Sequence, residues 1–207
     1  MIETDPDGQT YTTVFTYNRN KIQSDVSDDG WYSTYTYSGD LISKIETFVD
    51  NELYQTDLFE YNSDQKLTVH KMLSYSEDLG NRDVYMHNAN GSISYSRFVG
   101  DISSQIIGNG SGTMFFTNGE ISRIETIGSE EIYSYDGKNN PSKNILGMDK
   151  ISYILAEPEG FQQNVTSRVF TGSDNSTASY TYTYNDADFP VTSNDVSEDF
   201  STQYFYN

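Results

Sequence analysis

Hydrophobic and polar residues alternate with a period of two through most of this chain, the spacing that places every second side chain of a strand on one face. Tyr11, Thr13, Phe15 and Tyr17 fall on one side of a first segment, and Trp31, Ser33, Tyr35 and Tyr37 on one side of another. Tyr180, Tyr182 and Tyr184 repeat the pattern, with Thr181 and Thr183 turned the other way. Rings inward and hydroxyls outward is the arrangement this predicts, because large rings fill a core while β-branched hydroxyls cover a wet face.

Each segment ends on Tyr-Asn or a close variant, followed by a tight turn and a segment bearing Ile or Leu. The phrase returns roughly every twenty to thirty residues, a period that signals stacked supersecondary units. It reads Phe15-Thr16-Tyr17-Asn18, Tyr35-Thr36-Tyr37-Ser38, Phe59-Glu60-Tyr61-Asn62, Tyr85-Met86-His87-Asn88, Tyr133-Ser134-Tyr135-Asp136, Tyr182-Thr183-Tyr184-Asn185 and Tyr204-Phe205-Tyr206-Asn207. Asn90-Gly91 and Asn118-Gly119 carry the strongest hairpin-turn chemistry, since both residue types accept positive φ. Asp7-Gly8, Asp29-Gly30, Gly39-Asp40, Asn109-Gly110 and Asp136-Gly137 mark further reversals. Gly39-Asp40-Leu41-Ile42-Ser43-Lys44-Ile45-Glu46-Thr47 recurs, one residue shorter, as Gly119-Glu120-Ile121-Ser122-Arg123-Ile124-Glu125-Thr126, an internal duplication.

The rhythm breaks between Tyr135 and Tyr184. Ile151, Ile154 and Leu155 have helical spacing there, and Pro158 would stop a short helix, which could plug a sheet edge or the end of a curled sheet. The predicted fold is a single all-β domain over residues 1–207. In it, some seven hairpins form a large twisted antiparallel meander, barrel-like or half-barrel, with one short helix. A flat open sheet of that many strands is excluded by twist.

Charge narrows the function. Asp and Glu outnumber Lys and Arg by 31 to 12, for a net −19, so no basic stripe exists to bind nucleic acid or anionic lipid. The chain holds no cysteine, which removes disulfides and thiolate chemistry. Strand segments carry Glu60, Lys71, Arg97 and Glu125, too many charges for a lipid-facing band, and direct membrane insertion is not expected. No secretion signal stands at Met1-Ile2-Glu3-Thr4-Asp5, so an exported form would need a leader ahead of it.

The tyrosine-rich turns followed by Ile/Leu strands resemble the tyrosine-aspartate (YD, Rhs-like) repeats of bacterial surface and secreted proteins. Tyr135-Asp136-Gly137-Lys138-Asn139-Asn140-Pro141, Asn164-Val165-Thr166-Ser167, Tyr182-Thr183-Tyr184-Asn185-Asp186-Ala187-Asp188-Phe189-Pro190 and the closing Tyr204-Phe205-Tyr206-Asn207 are similar to uncharacterised exported lipoproteins of Bacteroidota. That resemblance implies a periplasmic or outer-membrane surface location in a Gram-negative bacterium, with a lipid anchor upstream, and no particular activity.

Candidate chemistry is sparse. His87 takes the slot that tyrosine fills elsewhere, a ring for a ring, and His70 lies on the strand face opposite Leu67 and Val69. Paired acids such as Asp28-Asp29, Glu130-Glu131 and Glu198-Asp199 read as solvated turn acids. In Asp5-Pro6-Asp7-Gly8-Gln9, Asp5 and Asp7 place two carboxylates before a turn glycine, a candidate Ca2+ site that lacks the rest of a twelve-residue calcium loop. Trp31-Tyr32 sends adjacent rings to opposite faces, so one of them is a candidate for stacking on a sugar or a partner protein. Asn90, Asn109, Asn164 and Asn175 open Asn-x-Ser/Thr sequons, which suggest exposed loops. The expected function is a non-enzymatic surface or periplasmic binding or accessory protein that recognises a protein partner or a glycan. The alternatives are a glycoside hydrolase using a carboxylate pair and a structural subunit of an envelope complex.

Overall fold

The structure is a computed structural model that describes residues 1–155 and 160–206. Sixteen strands form a closed antiparallel barrel in simple up-and-down order. They are β1 (Ile2–Thr4), β2 (Thr10–Asn18), β3 (Lys21–Ser27), β4 (Trp31–Ser38), β5 (Leu41–Val49), β6 (Glu52–Tyr61), β7 (Leu67–Ser74) and β8 (Leu79–His87), then β9 (Ile93–Gly100), β10 (Gln105–Thr117), β11 (Glu120–Thr126), β12 (Ser129–Tyr135), β13 (Val165–Thr171), β14 (Ser176–Tyr184), β15 (Pro190–Asp195) and β16 (Phe200–Gln203). The wall closes where β1 pairs with β16, through Ile2↔Gln203, Glu3↔Thr202 and Thr4↔Ser201. The meander therefore closes fully, with eight upward strands where the tyrosine phrase marks seven. The eighth is β10, whose phrase is Phe115-Phe116-Thr117-Asn118.

All eight phrases end at the same rim of the barrel, called here the top. Their turns use side-chain oxygens as local acceptors: Asn62 Oδ1 takes the amides of Asp64 and Lys66, and Asn185 Oδ1 those of Ala187 and Phe189. Asn118 and Gly119 both adopt positive φ, as a two-residue hairpin of matching twist requires. Asn109-Gly110, expected as a reversal, instead lies inside β10 as an irregularity in its pairing with β9. Gly110 uses its positive φ to accommodate extra residues, not to turn the chain.

Just below the top rim, ring and aliphatic side chains alternate around the wall. Near the start of every downward strand but β1, an aliphatic or proline residue is buried: Ile22, Ile42, Leu67, Ile93, Ile121, Val165 and Pro190. In five places a ring in or just past the last turn-ward residues of an upward strand reaches back and donates to the carbonyl of such a residue. These are Tyr61 to Ile42 (2.7 Å), His87 Nε2 to Leu67 (2.8 Å), Tyr135 to Ile121 (2.7 Å), Tyr182 to Val165 (2.7 Å) and Tyr206 to Pro190 (2.8 Å). The backbone ladder has stopped by this height: β5 and β6 pair up to Lys44↔Leu58, and Tyr61 then satisfies the freed Ile42 oxygen. Burial pushes the Tyr61 and Tyr135 hydroxyls upward in pKa, so they remain donors. His87 is thus a ring for a ring in full, carrying the donor as well as the shape. Where the slot holds Phe116, the β9–β10 ladder runs on to Ile93↔Met114.

A bulge recurs in the same downward strands. Ser43, Thr68 and Ser122 are each skipped by the register, and each hydroxyl donates to the carbonyl across the hairpin, on Thr36, Glu60 and Phe115. Bulges add local twist, which a small closed barrel requires. They also shift side-chain parity. The bulge at Thr68 brings Leu67 and His70 to the same inner face, so the strict alternation that set them on opposite faces does not hold.

Inward faces carry Ile45, Phe59, Tyr85, Met114 and Tyr133 in one buried cluster. Deeper on the same inner wall lie polar pairs: His70 Nε2 hydrogen-bonded with Asp57 Oδ1 at 2.8 Å, Arg97 bidentate to Asp83 at 2.7 and 2.8 Å, and Arg168 with Glu131. Glu131, expected as a solvated turn acid, is therefore a partly buried ion-pair partner. The outer face is wet. Lys44 pairs with Glu46 (2.7 Å), Lys71 with Glu60 (3.3 Å) and Arg123 with Glu125 and Glu130, while Thr183 and Thr192 join hydroxyls at 2.6 Å. Outward rings are covered by stacking, Tyr32 on Phe48 and the guanidiniums of Arg82 and Arg123 over Phe98 and Phe115.

The connection from β12 to β13 plugs the top. Its helical content is two 3-10 turns, Pro141–Asn144 and Met148–Lys150, shorter and tighter than the helix expected there. Met148 and Ile151 bury in the core, and Tyr153 meets the rings of Tyr85 and Phe116 edge-on. Leu146 is tied to the rim at both ends of its peptide, its amide to the Asn20 carbonyl and its carbonyl to the Tyr37 hydroxyl. The returning chain is fixed by the buried Glu120 carboxylate, which accepts the amides of Phe161, Gln162 and Gln163. Asn164, one of the sequons expected in an exposed loop, is 2% exposed and donates to Asp136 and to the Asn139 carbonyl. Pro158, the expected stop, lies outside the described residues.

Candidate functional site

The plug and the aliphatic belt fill the lumen beside β3 to β12. The remaining wall, β13 to β16 with β1, faces a cavity of about 290 Å³. Its position follows from chain order: the plug begins and ends at β12 and β13, and its described residues lean over the first half of the barrel, toward Asn20 and Tyr37. Four rings line the cavity, Tyr180, Tyr182, Phe200 and Tyr204. Three of them derive from the period-two alternation, Tyr180 and Tyr182 along β14 and Tyr204 beyond the end of β16. The Tyr204 hydroxyl lies 3.2 Å from Ser193 Oγ, and Tyr182 is fixed by its bond to the Val165 carbonyl.

Among these rings stand polar groups of two kinds. Arg168 enters from β13 with its guanidinium engaged by Glu131, and Asn140 and Asn164 line the plug side. Glu3, Asp195 and Glu198 bring carboxylates from β1, the end of β15 and the turn that follows. Asp195 Oδ1 accepts the amides of Ser197 (2.7 Å) and Glu198 (3.2 Å). Glu3 forms no ion pair or side-chain hydrogen bond among the described residues. Burial, then repulsion from Asp29, raises its carboxyl above the ordinary range, against the pull of the Met1 ammonium. Thr202 is 7% exposed and lines the same cavity, and its hydroxyl has no hydrogen-bond partner among the described residues. A smaller hollow of about 70 Å³ lies under the plug, between Glu120, Tyr135 and Tyr153.

The residues singled out from sequence lie elsewhere. Trp31 sits at the start of β4, at the rim opposite the plug, and meets Tyr54 edge to face at 5.1 Å. Tyr32 lies flat on Phe48 on the outer wall, 4.6 Å between centroids. Neither lines the cavity. Asp5 and Asp7 lie in the β1–β2 hairpin turn, where Asp5 Oδ1 accepts the Gln9 amide at 2.8 Å and Gly8 takes positive φ. Among the described residues, no three His, Asp or Glu side chains gather as a metal site. His70 is stacked parallel on Phe59 at 5.0 Å and bonded to Asp57, deep in the packed half. The cavity rings were visible in the sequence as strand residues. What singles them out, the half of the lumen left unfilled, is a tertiary property.

No protein-family model and no curated protein matches the chain. Among solved structures, it is similar to a porin-like protein from Bacteroides uniformis, with 10% identity, a TM-score of 0.55, and coverage of 98% of this chain and 92% of that one. It is also similar to a porin-like protein from Bacteroides vulgatus, with 12% identity, a TM-score of 0.46, and coverage of 100% and 91%. At 10% identity, the likeness to the Bacteroides uniformis protein is one of fold: a closed antiparallel β-barrel.

Proposed function

We propose that this chain is a non-enzymatic, exported binding protein that holds a saccharide unit of a glycan in its half-filled lumen. The observation that carries this reading is the cavity itself. One side of the barrel interior holds the buried cluster and the plug, and the other is lined by Tyr180, Tyr182, Phe200 and Tyr204 interspersed with hydrogen-bonding groups. Ring faces beside carboxylates and amides suit a sugar, whose apolar face stacks while its hydroxyls bond laterally. At about 290 Å³ the cavity lies at the small end of ligand sites, which run from about 300 to 1,000 Å³.

The outer wall supports a barrel that stands in water at the periplasmic or outer-membrane surface. Its ion pairs and threonines are costly against lipid tails, where a mid-membrane Lys or Arg costs about 2–4 kcal/mol. The plugged top also argues against a pore. Attachment to the envelope would come from a lipid anchor upstream, and an accessory role beside other envelope proteins fits the same placement.

The test is a glycan array probed with the purified chain, followed by calorimetry on Phe200→Ala and Tyr180→Ala. Loss of either ring is expected to weaken binding about tenfold. Binding that ignores both substitutions would move the site off the lumen. Glu3, a half-buried acid of raised pKa near other carboxylates, favours the hydrolase alternative, and turnover of a chromogenic glycoside that is abolished by Glu3→Gln would establish it.

A further inference from the structure

The cavity is unbalanced in charge. Its one described cation, Arg168, is engaged by Glu131, while Glu3, Asp195 and Glu198 contribute three carboxylates. None of the three has an ion-pair partner among the described residues, although cations elsewhere in the chain pair readily with acids, as Arg97 does with Asp83 and Lys138 with Asp188. Asp195 spends only Oδ1 on backbone amides, and its Oδ2 has no donor among the described residues. Thr202, 7% exposed and with no side-chain hydrogen bond among the described residues, lines the same space. Aromatic faces complete the environment, and rings beside carboxylates are the surroundings that attract an organic cation.

We propose that the cavity selects a protonated amine borne on a sugar-sized body, an amino sugar, with the ammonium set among Glu3, Asp195 and Glu198 and the ring plane against Phe200 and Tyr204. This rests on the cavity being the ligand site. The arrangement gives the half-buried Glu3, which has no ion-pair contact among the described residues and only the pull of the Met1 ammonium, a partner at contact distance: the ligand supplies it. A neutral sugar would leave those carboxylates desolvated and unpaired, which costs affinity.

The test is calorimetric titration of the whole chain at neutral pH and low salt with glucosamine, N-acetylglucosamine, glucose and lysine. Glucosamine is expected to bind about ten- to a hundredfold tighter than either neutral sugar, the range of one or two charge-assisted hydrogen bonds. Glu198→Gln, in an exposed turn where folding is not at stake, and Glu3→Gln should each erase most of that preference. Neutral sugars bound as tightly as glucosamine, with sensitivity to Phe200→Ala retained, would overturn the amine selectivity and leave the cavity reading standing. Lysine bound as tightly as glucosamine would overturn the sugar-borne form. If none of the four binds and the glycan array is also blank, the cavity reading itself falls.

Discussion

The repeated ring-to-carbonyl bond at the top rim makes a sharp prediction for Tyr61→Phe. The substitution keeps the ring and its packing and removes only the donor that sits 2.7 Å from the oxygen of Ile42, a residue that is 0% exposed. Because the β5–β6 ladder has ended at Lys44↔Leu58, no backbone amide of β6 replaces it. A buried carbonyl left without its donor costs about 1–3 kcal/mol. Each kcal/mol lowers Tm by about 2–4 °C in a chain of this size, so a drop of about 2–12 °C is expected. Urea denaturation and calorimetry read both quantities. Tyr17→Phe is the control, since Tyr17 is 47% exposed and makes no side-chain hydrogen bond, and it should be near neutral. Phe116→Tyr is the converse arm: the β9–β10 ladder already reaches Ile93, so the added hydroxyl should bring no gain. Equal stabilities for Tyr61→Phe and Tyr17→Phe, or a clear gain from Phe116→Tyr, would refute the role assigned to these rings.

Further outcomes follow from other elements. Glu120→Ala removes the shared acceptor of three amides in the returning chain, and is expected to cost about 2–3 kcal/mol and to speed hydrogen exchange at residues 161 to 163 before the strands respond. Burial raises the Asp25 carboxyl, outweighing its bonds from Tyr35 and Ser33, so its folded pKa exceeds the unfolded one. Its stabilising contribution is full below the unfolded pKa and is lost as pH rises through the folded value. Asp25→Asn should therefore flatten stability against pH across the weakly acidic range, and an unchanged pH profile would contradict this. The charged outer wall predicts that the barrel stays in the aqueous phase of a detergent cloud-point separation, and recovery in the detergent phase would count against a water-facing wall.

Much of the scaffold was legible because two signals agreed locally: tyrosines at period two, and Asn or Gly where a turn needed positive φ. The Phe116 unit escaped the phrase because it lacks the hydroxyl, and it is also the unit whose ladder needs no such donor. His70 and Leu67 were assigned to opposite faces because a single skipped residue, Thr68, inverts parity for everything on one side of it, and bulges leave little trace in composition. Asn109-Gly110 has hairpin chemistry, yet β10 runs through it because β9 continues to pair on the far side. The cavity was the least legible feature. Tyr180, Phe200 and Glu3 resemble strand residues elsewhere, and only the lean of the β12–β13 connection decides which part of the lumen receives a filling.

The β1–β16 seam has a consequence for biosynthesis. Glu3 and Thr202 are neighbours across it, yet almost the whole length of the chain separates them, so the contact carries the largest entropic penalty of any pairing in the wall. As the polypeptide emerges, β1 onward can zip hairpin by hairpin, while the outer edge of the first strand waits for the last. Until β16 arrives, the half-built sheet bears two raw margins able to recruit strands from other molecules, and the interval before closure is when misassembly threatens most.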